Sequence, residues 1–256
     1  LDHCSGDRAN PHFQTNEIFI SMTTGRIRHL ETFYSILDGL ERKLGGARIL
    51  AECTGRNAWP ERGVYFFREG GENRFNTGSG PRIVRIGTHA LTNASRTTLW
   101  TRLSQHRGQR INGGGNHRGS IFRLLVGTAL IARDGLESST WGAGASATSE
   151  IQQGEIALEQ QVSAVICAMP FLWLAIDDDP GPSSVRGYIE HNAIALLSNY
   201  NKTPLDPPSN HWLGLHCNRE RVRASGLWNS NHVEEEYDPA FLDRFESLVA
   251  QMKVGQ

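Results

Sequence analysis

The sequence predicts an α+β fold: a small central, mainly antiparallel β-sheet flanked by helices, with helical extensions at the N- and C-termini. Three observations lead there. Leu30, Phe33, Tyr34, Leu37, Leu40 and Leu44 recur at helical spacing and meet a stop at Gly45-Gly46. Two short segments rich in β-branched and aromatic residues follow, Gly63 to Arg68 and Arg82 to Gly87. Later helical stretches then come with their own capping residues.

The two strand segments are joined by residues 69–81, a polar, glycine-rich stretch that reads as a long hairpin connection. Thr97 or Thr98 caps the next helix, which carries Leu99, Trp100 and Leu103 and ends at Gly108. Ser120 to Ala132 reads as an apolar helix or strand, and residues 138–149 as a flexible connection rich in Ser, Gly and Ala. Glu155 to Ala168 is predicted helical and Phe171 to Ile176 a buried strand. Ser183 or Ser184 caps a helix with Val185, Ile189, Ala193, Leu196, Leu197 and Tyr200 on its apolar side. Asp238-Pro239 opens the last helix.

Residues 1–21 lack periodicity and Met22 stands directly before the first helix. They read as a disordered upstream extension, followed by an N-terminal helical extension over 22–60. The main domain is predicted over 61–210 with an insertion near 134–165, and a C-terminal helical extension over 211–256.

The chain has 256 residues, 38% hydrophobic and 21% charged, which suits a soluble globular protein. No apolar run reaches the roughly 18 residues that a membrane span needs. Its four cysteines, Cys4, Cys53, Cys167 and Cys217, form no Cys-x-x-Cys pair, and they read as reduced thiols of a cytoplasmic protein.

A net charge of −1 conceals an asymmetry. Between Glu72 and Asp134 there is no acidic residue and no lysine, but there are ten arginines. Such a window predicts a cationic surface for a polyanion, since the planar guanidinium donates two parallel hydrogen bonds to phosphate. The competing reading is a basic surface neutralised by the acidic stretch from Asp134 to Glu190.

Within this frame stand Gly63-Val64-Tyr65 and Arg85-Ile86-Gly87 on consecutive strands, then Arg102 and His106 four residues apart on one helix face, then Glu190 on a later helix, then an asparagine. Over about residues 60–210 this order resembles the GIY-YIG nuclease domain. The second tripeptide departs from the family pattern, with Arg85 in place of the second tyrosine. The resemblance implies a metal-dependent endonuclease that hydrolyses phosphodiester bonds in DNA, double-stranded by expectation, with RNA as the other possible substrate.

It also implies roles. Glu190 binds Mg²⁺ or Mn²⁺, consistent with the preference of Mg²⁺ for a carboxylate and several waters. Tyr65 assists the attacking water; a phenol ordinarily ionises near ~10, so cations must surround it to act as a base. Arg102 binds the scissile phosphate, and His106 orients Tyr65 or transfers a proton. Arg85, Arg107, Arg110, His117, Arg118 and Asn201 are expected to contact substrate, with Asn199 and Asn210 as alternatives to Asn201. Each residue also has a structural alternative, among them an ion pair between Glu190 and Arg186 at i−4. The other reading of the whole is a nucleic-acid-binding module on a decayed nuclease scaffold. Asp177 to Asp179 read as a solvated loop, and Leu227 to Val233 fits none of these roles.

Overall fold

The computed structural model describes residues 11–253, with side chains from residue 24 onward. Helix α1 spans Pro11–Leu44, so helical backbone begins well upstream of Met22. Proline suits the first turn of a helix, and no further proline interrupts the stretch. The rest of the expected upstream extension, residues 1–10, lies outside the described residues. At the other end Gly45 and Gly46 adopt φ of 72° and 110°, and the Gly46 N–H closes the last turn on the Glu41 carbonyl.

The sheet contains β1 (Arg48–Ile49), β2 (Gly63–Asn73), β3 (Pro81–Gly87) and β4 (Pro170–Ala175) in the order β1-β4-β2-β3. Every pairing is antiparallel, as the sequence predicted. β2 is central, and Val64 to Phe67 are buried on both faces. Phe66 points to one layer, against Phe33 of α1 and Phe245 of α7 (Phe241–Gln251). Tyr65 and Phe67 point to the other, toward α2 (Leu99–Arg107) and α3 (Ile121–Asp134). The alternation of a strand thus sorts one run of apolar residues onto two helical layers.

The expected caps form. Thr98 accepts from the Thr101 N–H, Ser120 from the Arg123 N–H, and Ser184 from the Gly187 N–H at the start of α5 (Val185–Leu197). α3 is the helix that the 120–132 segment left undecided between helix and strand. α4 (Ser149–Cys167) begins six residues before the expected Glu155, capped by Thr148.

The C-terminal part is less helical than predicted. Apart from a 3-10 helix at Leu213–His216, α6 (Glu220–Ser225) and α7 it is largely irregular chain, of which the Trp228–Asn229 stretch lies along the sheet edge. The Trp228 N–H donates to the Val84 carbonyl at 2.7 Å. Asn229 completes the edge, its Oδ1 accepting from the Ile86 N–H at 3.1 Å and its Nδ2 donating to the Ile86 carbonyl at 2.9 Å. An open β3 edge would be a template for unwanted pairing, and this segment closes it. Asp206 holds the β2–β3 connection in the same way, accepting from the N–H groups of Phe75 and Asn76.

Part of the arginine window is internal or paired with acids. Arg82 pairs with Glu72, Arg118 with Glu155, Arg123 with Glu159 and Arg133 with Asp134. Acids among the described residues therefore neutralise four of the ten window arginines, three of them from the stretch between Asp134 and Glu190, so the expected cationic surface is reduced. Among the described residues no helix is long and apolar enough to cross a membrane. Cys53, Cys167 and Cys217 carry free thiols.

Glu159 is the busiest of these acids. One oxygen accepts from the His117 N–H at 2.6 Å and meets His117 Nδ1 at 3.0 Å; the other accepts from Arg123 Nε at 2.9 Å. Arg123 in turn donates to the His106 carbonyl at 2.8 Å, tying the end of α2 to α3 and α4. Removing one member of a buried ion pair leaves the other charge uncompensated. Glu159→Ala is therefore expected to lower stability by about 3–5 kcal/mol, measured by urea denaturation against the wild-type chain.

Candidate active site

The two glycines of the paired tripeptides have steric reasons. A Cβ at Gly63 would lie 2.4 Å from the Leu174 carbonyl oxygen of β4. Tyr65 is paired with Gly87 across the β2–β3 ladder, and a Cβ at Gly87 would lie 2.2 Å from the Tyr65 hydroxyl oxygen and 2.4 Å from Cζ. The phenol therefore lies across the bare backbone of Gly87. Glycine is the residue that allows so close an approach.

That placement brings the phenol to α2. Tyr65 Oη and His106 Nε2 are 2.8 Å apart, and His106 Nδ1 lies 2.7 Å from Ser120 Oγ. Both side chains are fully buried, and the imidazole is fixed at both nitrogens, by Tyr65 of β2 and by Ser120, the residue that caps α3. Burial holds His106 well below the usual histidine range, helped by the charges of Arg102, Arg85 and Arg123. It is a neutral ring at physiological pH, suited to orienting the phenol and unsuited to storing a proton.

Glu190 approaches from α5. Its Oε1 accepts from the Thr88 N–H at 3.1 Å, so the carboxylate stands one residue from the glycine that Tyr65 crosses. Thr88 is fixed by its hydroxyl, which donates to the Gly63 carbonyl at 2.8 Å. Phenol and carboxylate thus bracket Gly87. Arg186 does not pair with Glu190; it pairs with Asp178 and donates to the His89 carbonyl at 2.6 Å. Asp178 is accordingly an ion-pair partner within the aspartate run that the sequence read as solvated. Glu190 enters no ion pair among the described residues. Burial raises its carboxyl above the ordinary range, opposed by Arg85, His232, the Thr88 N–H and Arg102.

Arg85 and Arg102 complete the group. Arg85 is paired with Phe67 in the ladder and so shares the face of Tyr65; it lies over the Phe122 ring at 5.4 Å and donates to the Trp228 carbonyl. Arg102 is half-buried and bonds only neutral partners, Gln105 Oε1 at 3.1 Å and the Gly119 carbonyl at 3.2 Å. Both guanidinium charges act on His106 and on Glu190. The structure therefore brings together Tyr65, His106, Glu190, Arg85 and Arg102.

It does not bring the other expected substrate contacts there. His117 is buried, stacked 3.9 Å from Trp141, with Nδ1 against Glu159 and Nε2 accepting from the Gly142 N–H. Arg118 forks onto Glu155 at 2.6 and 3.0 Å. Both expectations are corrected, since the polar groups of these two residues are spent on α4 and on the 140–143 connection before it. Arg107 lies over Trp100 and donates to the Cys53 carbonyl, and with Arg110 it lines a different groove between α2 and α4. Asn201 is exposed on the turn beyond α5, roughly 10 Å or more along the helix axis from Glu190. Of its alternatives, Asn199 is spent inside the fold, accepting from Arg26 and the Leu205 N–H, and Asn210 is exposed.

Three residues escaped the sequence reading. Asn229 anchors the chain beside Arg85 and Gly87, and His232 lies close enough to act on Glu190. His89, two residues after Gly87, is buried with neither ring nitrogen in a well-aligned hydrogen bond among the described residues. Burial and the Arg186 charge hold it at about 4. The sequence signal for His89 was its adjacency to the second tripeptide. Asn229 and His232 lie in the Leu227 to Val233 stretch, which fitted none of the expected roles; Asn229 is placed by the bonds of its side-chain amide to Ile86 of β3.

A half-buried carboxylate whose proton is held more tightly than usual and that enters no ion pair has a testable signature. The folded chain holds this proton more tightly than the unfolded chain, so Glu190 favours folding at low pH and its contribution is lost as pH rises through the raised value. A bound cation would offset that loss. Mg²⁺ is expected to raise Tm at neutral pH, with the effect vanishing as pH falls through the raised carboxyl value and absent in Glu190→Gln, as read by calorimetry.

A GIY-YIG domain model matches residues 24–255. No curated protein and no solved structure matches. The match takes in α1 and the C-terminal segments as well as the sheet, beyond the 60–210 span that carried the sequence resemblance. With nearly the whole chain covered, and with Tyr65, Gly87, His106 and Glu190 gathered as described, the chain belongs to the GIY-YIG nuclease family.

Proposed function

We propose that the protein is an endonuclease hydrolysing phosphodiester bonds in DNA, dependent on Mg²⁺ or Mn²⁺ held by Glu190. The observation that carries this reading is the bracketing of Gly87: the Tyr65 phenol lies across it and the Glu190 carboxylate is bonded one residue away. The donor set fits a hard divalent ion. Glu190 offers a half-buried carboxylate without an ion pair, and no nearby side chain of the described site competes for it as a cationic hydrogen-bond donor. Bound there, such an ion supplies Lewis-acid neutralisation of phosphate charge and open positions for water.

The chain's own residues supply the rest. With its proton on Nδ1, donated to Ser120 Oγ, neutral His106 accepts a hydrogen bond from the Tyr65 hydroxyl at Nε2. The Tyr65 oxygen lone pairs are then free to take a hydrogen bond from the attacking water. Arg102, tied only to neutral groups, is free to bind the scissile phosphate as negative charge builds on it. Arg85, standing where the family has a second tyrosine, adds positive charge on the same face. His106 acts as a positioning group for Tyr65, consistent with its burial.

DNA is proposed over RNA, and a cytoplasmic setting, supported by the free thiols, belongs to the same reading. The alternative of a decayed binding module predicts salt-sensitive binding without cleavage. The ordered arrangement of phenol, imidazole and unpaired carboxylate favours catalysis.

Purified full chain is expected to cleave DNA in Mg²⁺ or Mn²⁺ and to stop in excess chelator. Glu190→Gln abolishes cleavage while DNA binding and folding persist. Tyr65→Phe slows the single-turnover rate by about 10²–10⁴-fold with little change in DNA affinity. Cleavage that survives the chelator, or a Tyr65→Phe chain that cuts at the wild-type rate, rejects the mechanism.

A further inference from the structure

Beside Glu190 stands a cluster that the proposed reaction does not use. His191, the next residue on α5, faces His232 and Glu235 from the segment that follows the β3 edge. One candidate ligand atom from each residue lies within 4.8 Å of the others. His191 Nε2 is 2.7 Å from Glu235 Oε2, and His232 Nδ1 is 3.0 Å from Glu235 Oε1. The two imidazoles stack with centroids 4.5 Å apart at 21°.

We infer that these three side chains form a second metal site, distinct from the Glu190 carboxylate, that takes a late first-row divalent ion, Zn²⁺ in the first instance.

Chemistry selects the ion. Two imidazole nitrogens and one carboxylate oxygen form a donor set that zinc favours and magnesium does not. Zinc bonds of ~2.0–2.2 Å put tetrahedral ligand atoms ~3.4 Å apart, which small rotamer adjustments reach from the observed spacing. The alignment points the same way. His191 Nε2 is shielded from solvent and close to a Glu235 oxygen, yet makes no well-aligned hydrogen bond with it. Nitrogen and carboxylate converge on shared space more than on each other.

The support behind the ligands is in place. The Ser198 hydroxyl donates to the Val233 carbonyl at 2.6 Å, and Lys202 Nζ donates to the Glu235 carbonyl at 2.8 Å. Both fasten the segment to the end of α5. His232 adopts φ of 61°, a conformation that costs a non-glycine residue energy and is kept here by those anchors. Access exists as well, since Glu190, His191 and His232 line one open cleft with Tyr188, Ser184 and Leu91. An ion bound there would pin the C-terminal segment to α5 along the wall of the Glu190 cleft. This inference stands apart from the nuclease reading and survives its failure.

The test is isothermal titration of the metal-stripped full chain with Zn²⁺ in excess Mg²⁺. One Zn²⁺ per chain is expected to bind despite the Mg²⁺. His191→Ala and His232→Ala should each weaken it by more than about tenfold, and Glu190→Gln should leave it intact. Zinc should also raise Tm in the wild type and not in the ligand variants. Glu235→Gln supplies the same comparison if a histidine variant fails to fold. Absence of stoichiometric binding overturns the inference. So does equal binding by wild type and all three ligand variants, which would place the ion elsewhere, for example at His211, His216 or Cys217. Loss of zinc in Glu190→Gln also overturns it, because the ion would then belong to the Glu190 site.

Discussion

The candidate site depends on a side chain that is not there. Gly87 lacks a Cβ, and the Tyr65 ring occupies the space a Cβ would need. From this one allowance the rest follows. The phenol reaches across β3 to the imidazole of α2, the imidazole is fixed by the residue that caps α3, and the next backbone N–H after Gly87 is free to hold the carboxylate of α5. Any larger residue at 87 would displace the phenol, because the obstructing atoms on the other side belong to a packed ring in a fully buried strand. Helices from both layers thus converge on one glycine.

Electrostatics divide the arginines into two populations. Arg82, Arg118 and Arg123 are buried against Glu72, Glu155 and Glu159, where they fix helices to the sheet and to each other. Buried pairs of this kind specify geometry more than they add stability. Arg85 and Arg102 have no acid partner, and their charge falls on the neutral His106 and on Glu190. Two unpaired guanidinium groups at the site are the arrangement expected where a phosphate is to be held there.

The sequence made the sheet and most helices legible for local reasons. Thr98, Ser120 and Ser184 carry the side-chain oxygens that capping requires, and β2 and β3 announce themselves through β-branched and aromatic runs. Tyr65, Arg102, His106 and Glu190 were legible because their order resembles a family. His117 and Arg118 were misjudged because their partners sit some forty residues away on α4. The spacing of Glu155 and Glu159, four apart on one helix face, was the available sign that acids would turn inward. Asn229, His232 and Glu235 were illegible because they lie in irregular chain, which has no period to read.

The central claim is that the phenol of Tyr65 and the carboxylate of Glu190 serve one bound cation. Paramagnetic broadening by Mn²⁺ of ring-labelled tyrosine in NMR tests it most directly, with Tyr65→Phe assigning the Tyr65 signal among the five tyrosines. The account predicts that Mn²⁺ broadens the Tyr65 resonance in the wild type and leaves it sharp in Glu190→Gln. A Tyr65 resonance that stays sharp at Mn²⁺ concentrations supporting DNA cleavage would contradict it.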